Sequence, residues 1–169
     1  MSSPVAKSSV TPAGEFPVTR SDEREQLLDW LGYLRCAVIR NAEGLSEAAA
    51  HERPGGRLIS IVGIVNHLTQ VEWRWIDGGF GGEYVTRDDE EFHPGSELQI
   101  TEAVARYRVR GKATDETVRA LSLDTFAAAK SWGDGHSLRF VLLHLVNETA
   151  RHAGHADAVR ELLDGSTGE

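Results

Sequence analysis

One stretch of this chain gathers a carboxylate and three imidazoles: His144-Leu-Val-Asn-Glu148-Thr-Ala-Arg-His152-Ala-Gly-His155. The residues around it, from Phe140 to Leu163, have the apolar spacing of a helix. Glu148 and His152 are four positions apart, so on a helix their side chains lie one turn above the other on one face. A single helix can offer two ligands to one metal ion in this way. His144 and His155 fall on the same stripe, within about 80° of arc at 100° per residue. Imidazoles and a carboxylate are seldom concentrated on the face a helix buries.

A second helical segment supplies a further candidate. His67 sits at the edge of an apolar arc made by Ile64, Val71 and Trp75. Together, His67, Glu148 and His152 would make a two-histidine, one-carboxylate set from two helices. Three protein ligands leave open positions for water or substrate, the pattern of a reactive rather than a structural site. Simpler readings stand beside this one. A lone buried histidine is more often a hydrogen-bonded core residue, and a Glu-x-x-x-His pair more often a surface ion pair. A carboxylate on a core stripe needs a cation, and Arg151 or Arg160 could supply one in place of a metal.

The elements that must position these groups are all helical. Ser21-Asp22-Glu23 opens a first helix carrying Leu27, Leu28, Leu31, Leu34, Val38 and Ile39, with Gly44 as its stop. After Pro54-Gly55-Gly56, Ser60 caps a second, which carries Ile61, Ile64, Val65, Leu68, Val71 and Trp75 and ends at Asp77-Gly78-Gly79. Residues 78–96 read as a long exposed loop, and the run Arg87-Asp-Asp-Glu-Glu91 within it as solvated surface. A third helix begins near Thr101 and turns Val104, Tyr107, Gly111, Val118 and Leu121 inward. A loop with Trp132-Gly-Asp-Gly135 precedes the last helix, from Ser137 to Gly165. No strand-like alternation and no internal repeat is evident. Four helices and the long connection between the second and third point to an all-α four-helix bundle with room for a non-simple topology.

Composition bounds the rest. With 169 residues, one domain is expected over 21–169, after a flexible Ser/Pro/Thr-rich tail over 1–20. The hydrophobic share of 40% and charged share of 26% are those of a globular chain. A formal net charge of -8 argues against a nucleic-acid surface. No window approaches the roughly 18 apolar residues of a membrane span, and the first fourteen residues lack a signal-peptide apolar core. Cys36, the lone cysteine, excludes an intrachain disulfide, fits a reducing cytoplasm and reads as a small residue of the first helix rather than a nucleophile.

Ile64-Val-Asn-His67-Leu-Thr-Gln-Val-Glu72-Trp73, followed by Glu148-x-x-x-His152-Ala-Gly-His155, resembles the DinB-like superfamily. Within it the chain looks closest to the actinobacterial mycothiol-dependent branch, which includes mycothiol S-transferases and maleylpyruvate isomerase. The likeness runs from about Ser21 to Gly168. Many family members carry His-x-x-x-His-x-Gly on the last helix, and here Glu148 replaces the first of those histidines, as in the isomerase. The resemblance implies a bundle of down-up-up-down order with a divalent metal, commonly zinc, held by His67, Glu148 and His152. His144 and His155 match no ligand position and read as supporting or core residues, and His51, His93 and His136 as loop residues at the surface.

A metal with an open position can bind a low-molecular-weight thiol as thiolate, the nucleophile for S-transfer or conjugation to an electrophile. The first expectation is therefore a metal-dependent thiol transferase using a mycothiol-like thiol. An isomerase of the maleylpyruvate type is a second reading, weakened because the resemblance implies an extra C-terminal region and few residues follow the last helix. A helical bundle that binds metal or a small ligand without turnover is the third. Apolar residues on the far side of the last helix, Leu142, Val146, Ala150 and Ala153, could face another helix or a second subunit, which leaves a homodimer open.

Overall fold

Short polar side chains start the helices. In the computed structural model, which describes residues 14–17, 22–83, 85–87 and 89–166, Asp22 accepts the Glu25 N–H at 3.1 Å and opens α1, Glu23–Ala42. Ser46 caps a short α2, Glu47–His51, which the sequence reading passes over as loop. Ser60 caps α3, Ile61–Phe80, through the Gly63 N–H, so this helix runs through Gly78 and Gly79 instead of stopping there. Next come α4, Ile100–Ala120, and α5, Leu138–Asp164. The last begins at Ser137 and closes at Gly165, whose φ of 78° is the left-handed cap that glycine adopts without strain. Each cap satisfies backbone groups that a helix end leaves without an intrahelical partner.

The architecture is all-α, and among the described residues the only β-type pairing is an isolated bridge between Phe126 and Ser137. Helix α5 packs against both α1 and α3, and α3 also packs against α4. This explains the apolar residues on both sides of α5: Leu142 and Ala153 are buried and Val146 half-buried, whereas Ala150 is exposed. Leu162 is 65% exposed near the helix end. Most of the expected tail, 1–20, lies outside the described residues, and within it Phe16 meets Trp30 and Tyr33 edge-on.

Two apolar clusters make the core. One gathers Val38, Ile61, Ile64, Leu68, Tyr107 and Ala156, and the other Leu31, Ile76, Val118, Leu138, Leu142 and Leu145. Near the point where each long helix passes from one cluster to the other it carries buried polar residues or glycine: Arg35, His67 and Glu72, Gly111 and Thr114, Thr149 and His152. Arg35 holds Glu72 through two hydrogen bonds of 2.7 Å and Asp115 through one of 2.8 Å. Charges leave water only when paired in this way. Gly111 makes the room, because a Cβ there would stand 3.2 Å from the Arg35 guanidinium carbon. The metal-ligand candidates lie in the same polar layer, on the α3–α5 side.

Candidate metal centre

Helices α3 and α5 bring His67, Glu148 and His152 together, with one ligand atom from each lying within 4.8 Å of the others. Glu148 Oε1 is 3.2 Å from His67 Nε2 and 3.4 Å from His152 Nε2. Ligands about 2.0–2.1 Å from a tetrahedral metal stand roughly 3.4 Å from one another, so these separations suit one ion. His67 and His152 are 3% and 5% exposed, and the Glu148 side chain 16%. Solvent therefore reaches the cluster on the Glu148 side. There Arg151, the first of the two candidate arginines, approaches the other carboxylate oxygen at 3.5 Å, while Arg160 pairs with Asp164 instead.

A residue read from sequence as solvated surface turns out to organise this cluster. Glu91 is 3% exposed, in a 3-10 turn at Asp89–Glu91, and its Oε1 lies 2.5 Å from His67 Nδ1. Arg74, also buried, donates to both Glu91 oxygens at 2.7 and 2.8 Å, and Asn66 donates to the Glu91 carbonyl at 3.0 Å. Burial alone would push the Glu91 carboxyl up, but the hydrogen bonds from His67 and Arg74 hold it at about 2. An ionised carboxylate can only accept, so His67 donates from Nδ1, and Nε2 is the nitrogen that faces Glu148. The carboxylate–histidine pair is the usual outer support of a metal-bound imidazole. Phe92 lies flat on the other side, stacked at 4.2 Å over the His67 ring.

Electrostatics favour the ligand forms of the other two groups. Burial, with the neighbouring His67 adding to it, lowers His152 to about 4, so its ring is neutral near pH 7. Burial would raise Glu148, but the hydrogen bond with His67 and the charges of His152, His67 and Arg151 bring it below the usual range. A neutral His152 ring and an ionised Glu148 converge with His67 on one point, an arrangement that a divalent cation satisfies. The buried residues present fit such a group.

The remaining histidines stand apart from the three. His144 packs on Trp75 with ring centroids 4.4 Å apart, and burial lowers its pKa. His155, which is exposed, meets the His152 ring edge-on at 5.3 Å. Of the supposed surface histidines only His93 is exposed. His51 ends α2 with Nε2 3.0 Å from the Leu98 carbonyl, and His136 is half-buried against Phe140. Cys36 is half-buried on α1. Glu91, Arg74 and Phe92 escape sequence reasoning because their partners are fixed by a loop path; the only local hint is an aromatic residue directly after a charge run.

Fold and site define a class: an all-helical bundle in which facing helices contribute a two-histidine, one-carboxylate cluster. A family model described as mycothiol-S-transferase matches residues 26–165, and the chain belongs to that family, in the mycothiol branch of the DinB-like proteins. No curated protein and no solved structure gives a significant match. Among the described residues no helix is long and apolar enough to cross a membrane.

Proposed function

We propose that this chain is a metal-dependent thiol transferase in which His67, Glu148 and His152 hold one divalent ion, zinc by preference, and mycothiol or a similar thiol is the co-substrate. The observation that carries the reading is the convergence of three ligand atoms on one point, with His67 fixed from behind by Glu91 and Arg74. A divalent ion bound there supplies the positive charge that lowers a thiol's pKa into the working range. The protein's own groups set up that charge. Two neutral imidazoles and one carboxylate leave the centre net positive, and the buried Glu91 keeps the His67 lone pair aimed at it. Glu148, the most accessible of the three, marks the side from which the thiol enters. The thiolate sulfur then forms the new bond to an electrophilic carbon, and the leaving group departs with the bonding electrons. No side chain of the chain acts as nucleophile.

The same reading takes 21–169 as one domain, a four-helix bundle of down-up-up-down order, which works in the cytoplasm and forms a homodimer. Metal content and turnover test its chemical core. Freshly purified protein should carry close to one equivalent of metal, and His67→Ala and Glu148→Ala should lose it. Zinc-loaded protein should accelerate the conjugation of monochlorobimane with mycothiol over bacillithiol or glutathione. Metal retained in both variants would overturn the site. Bound metal without acceleration for any of the three thiols would overturn the transferase and leave a binding module.

A further inference from the structure

Two loops face each other beyond the C-terminal half of α3, and between them lies a cavity of about 590 Å³. One wall comes from 82–83 and 85–87 and the other from 128–132, with Gly78 of α3 also lining it. Its size is that of a small-molecule site. In a chain with formal net charge -8, each wall brings a cation: Arg87 and Lys130. Val85 and Trp132 give it an apolar body.

Neither cation is strongly engaged. Arg87 is 54% exposed and reaches Glu91 Oε2 only at 4.0 Å, an oxygen that already accepts from Arg74 at 2.7 Å. Lys130 makes no ion pair among the described residues. One acid, Glu83, also lines the cavity, where its carboxylate accepts from the Trp73 indole at 2.7 Å, and Asp134 accepts from the Lys130 backbone N–H at 2.7 Å. Lys130 also has φ 62°, the one non-glycine residue with positive φ among those described. A side chain in that conformation is strained where glycine would not be, and such strain concentrates at functional positions. The wall that carries it is anchored to α3, because the Ala128 N–H donates to the Gly79 carbonyl at 2.8 Å.

Two cavity residues touch the groups that support the ligand cluster. Arg87 lies 5.2 Å over the Phe92 ring, which stacks on His67. Trp132 covers Arg74 at 4.9 Å, and Arg74 holds Glu91. From these observations we infer that the cavity binds an organic carboxylate with an apolar body, its acid group between Arg87 and Lys130 and its body along Val85 and Trp132. This binding does not rest on the proposed transfer chemistry.

The test uses naphthalene-2-carboxylate and the neutral naphthalene-2-carboxamide, titrated into the full chain with and without zinc and followed by calorimetry and backbone NMR. The carboxylate should bind about tenfold tighter than the amide, the worth of one charged hydrogen bond, and shift resonances of Arg87, Lys130 and Trp132. Arg87→Gln and Lys130→Gly should each cost about tenfold in carboxylate affinity. Lys130→Gly should raise the melting temperature while it lowers affinity, a combination that a packing role does not produce. Equal affinity for acid and amide, full affinity in Lys130→Gly, or shifts confined to other surfaces would overturn the inference. The preference for carboxylate over amide should be the same with and without zinc.

Discussion

His67 Nδ1 and Glu91 Oε1 lie 2.5 Å apart although 24 positions separate the residues, and both side chains are buried. This bond decides which nitrogen of His67 faces Glu148, and Arg74 holds the carboxylate in place behind it. Glu91→Gln keeps the shape but removes the charge. Zinc affinity, measured by competition with a chromophoric chelator, should fall about 10- to 100-fold, the usual effect of losing such a support. The melting temperature should fall as well, because Arg74 stays buried without an ionised partner. Unchanged affinity would show that His67 needs no anchor.

A ligand that binds only the folded chain stabilises it by mass action. Free zinc at one hundred times its dissociation constant should add about 2.7 kcal/mol, reversed by a chelator. Glu148→Gln should abolish most of that increment and leave the metal-free stability close to wild type, since Glu148 is the most exposed of the three. A zinc shift of equal size in wild type and variant would place the ion elsewhere.

Stability of the metal-free chain should fall with acid in a definite window. Burial lowers His144 below its ordinary 6.5, against the opposing pull of Glu148 and with help from Arg151 and His136. A depressed folded pKa means that the neutral ring is favoured in the native state. Its stability contribution is then fully present above about pH 6.5 and is lost as pH falls through that value, because the unfolded chain takes up the proton first. His144→Phe, which preserves the ring against Trp75, should flatten that part of a denaturation series. A profile identical to wild type would remove His144 from the account.

The α3 and α5 ligand candidates were legible because helical periodicity converts spacing directly into facing. His67, Glu148 and His152 needed only the 3.6-residue repeat and an apolar arc to be placed together. Helix starts were equally open, through Asp22, Ser60 and Ser137. Glu91 was not legible, because its burial depends on how residues 81–92 fold back over α3, and no local pattern encodes that path. Arg35 was hidden for a related reason. A charged residue on an apolar stripe reads as an interruption until Glu72 and Asp115, from two other helices, appear around it.

That buried trio gives a sharp stability test. Glu72 is 1% exposed and takes two hydrogen bonds from Arg35. Glu72→Gln should cost about 3–5 kcal/mol in chemical denaturation, since Arg35 is left buried and under-paired. The double replacement Arg35→Met with Glu72→Leu should recover much of the loss, because it removes both desolvation penalties together. A double variant less stable than the single one would mean that Asp115 or the shape of the site carries the larger share.

Gly63 offers a way to disturb the candidate metal centre without touching any of its three proposed ligands. It lies one turn before His67 on α3, and a Cβ there would come 2.3 Å from the Phe92 carbonyl oxygen, a backbone atom that cannot rotate away. The 3-10 turn that delivers Glu91 therefore rests directly on the bare glycine. In Gly63→Ala the turn must lift, which draws Glu91 from His67 Nδ1 and Phe92 from the imidazole face. Helix propensity alone predicts the reverse, a gain of up to about 1 kcal/mol over glycine. Gly32→Ala on α1 isolates that gain, since nothing lies within 4 Å of a Cβ at that position. The control should be as stable as wild type or more so, with unchanged zinc affinity. Gly63→Ala should lose zinc affinity by about tenfold, the middle of the range for outer-support changes, and expose residues 89–92 to faster amide exchange. If the two alanine variants behave alike, the turn does not depend on close contact with α3, and Arg74 is enough to hold Glu91 against His67.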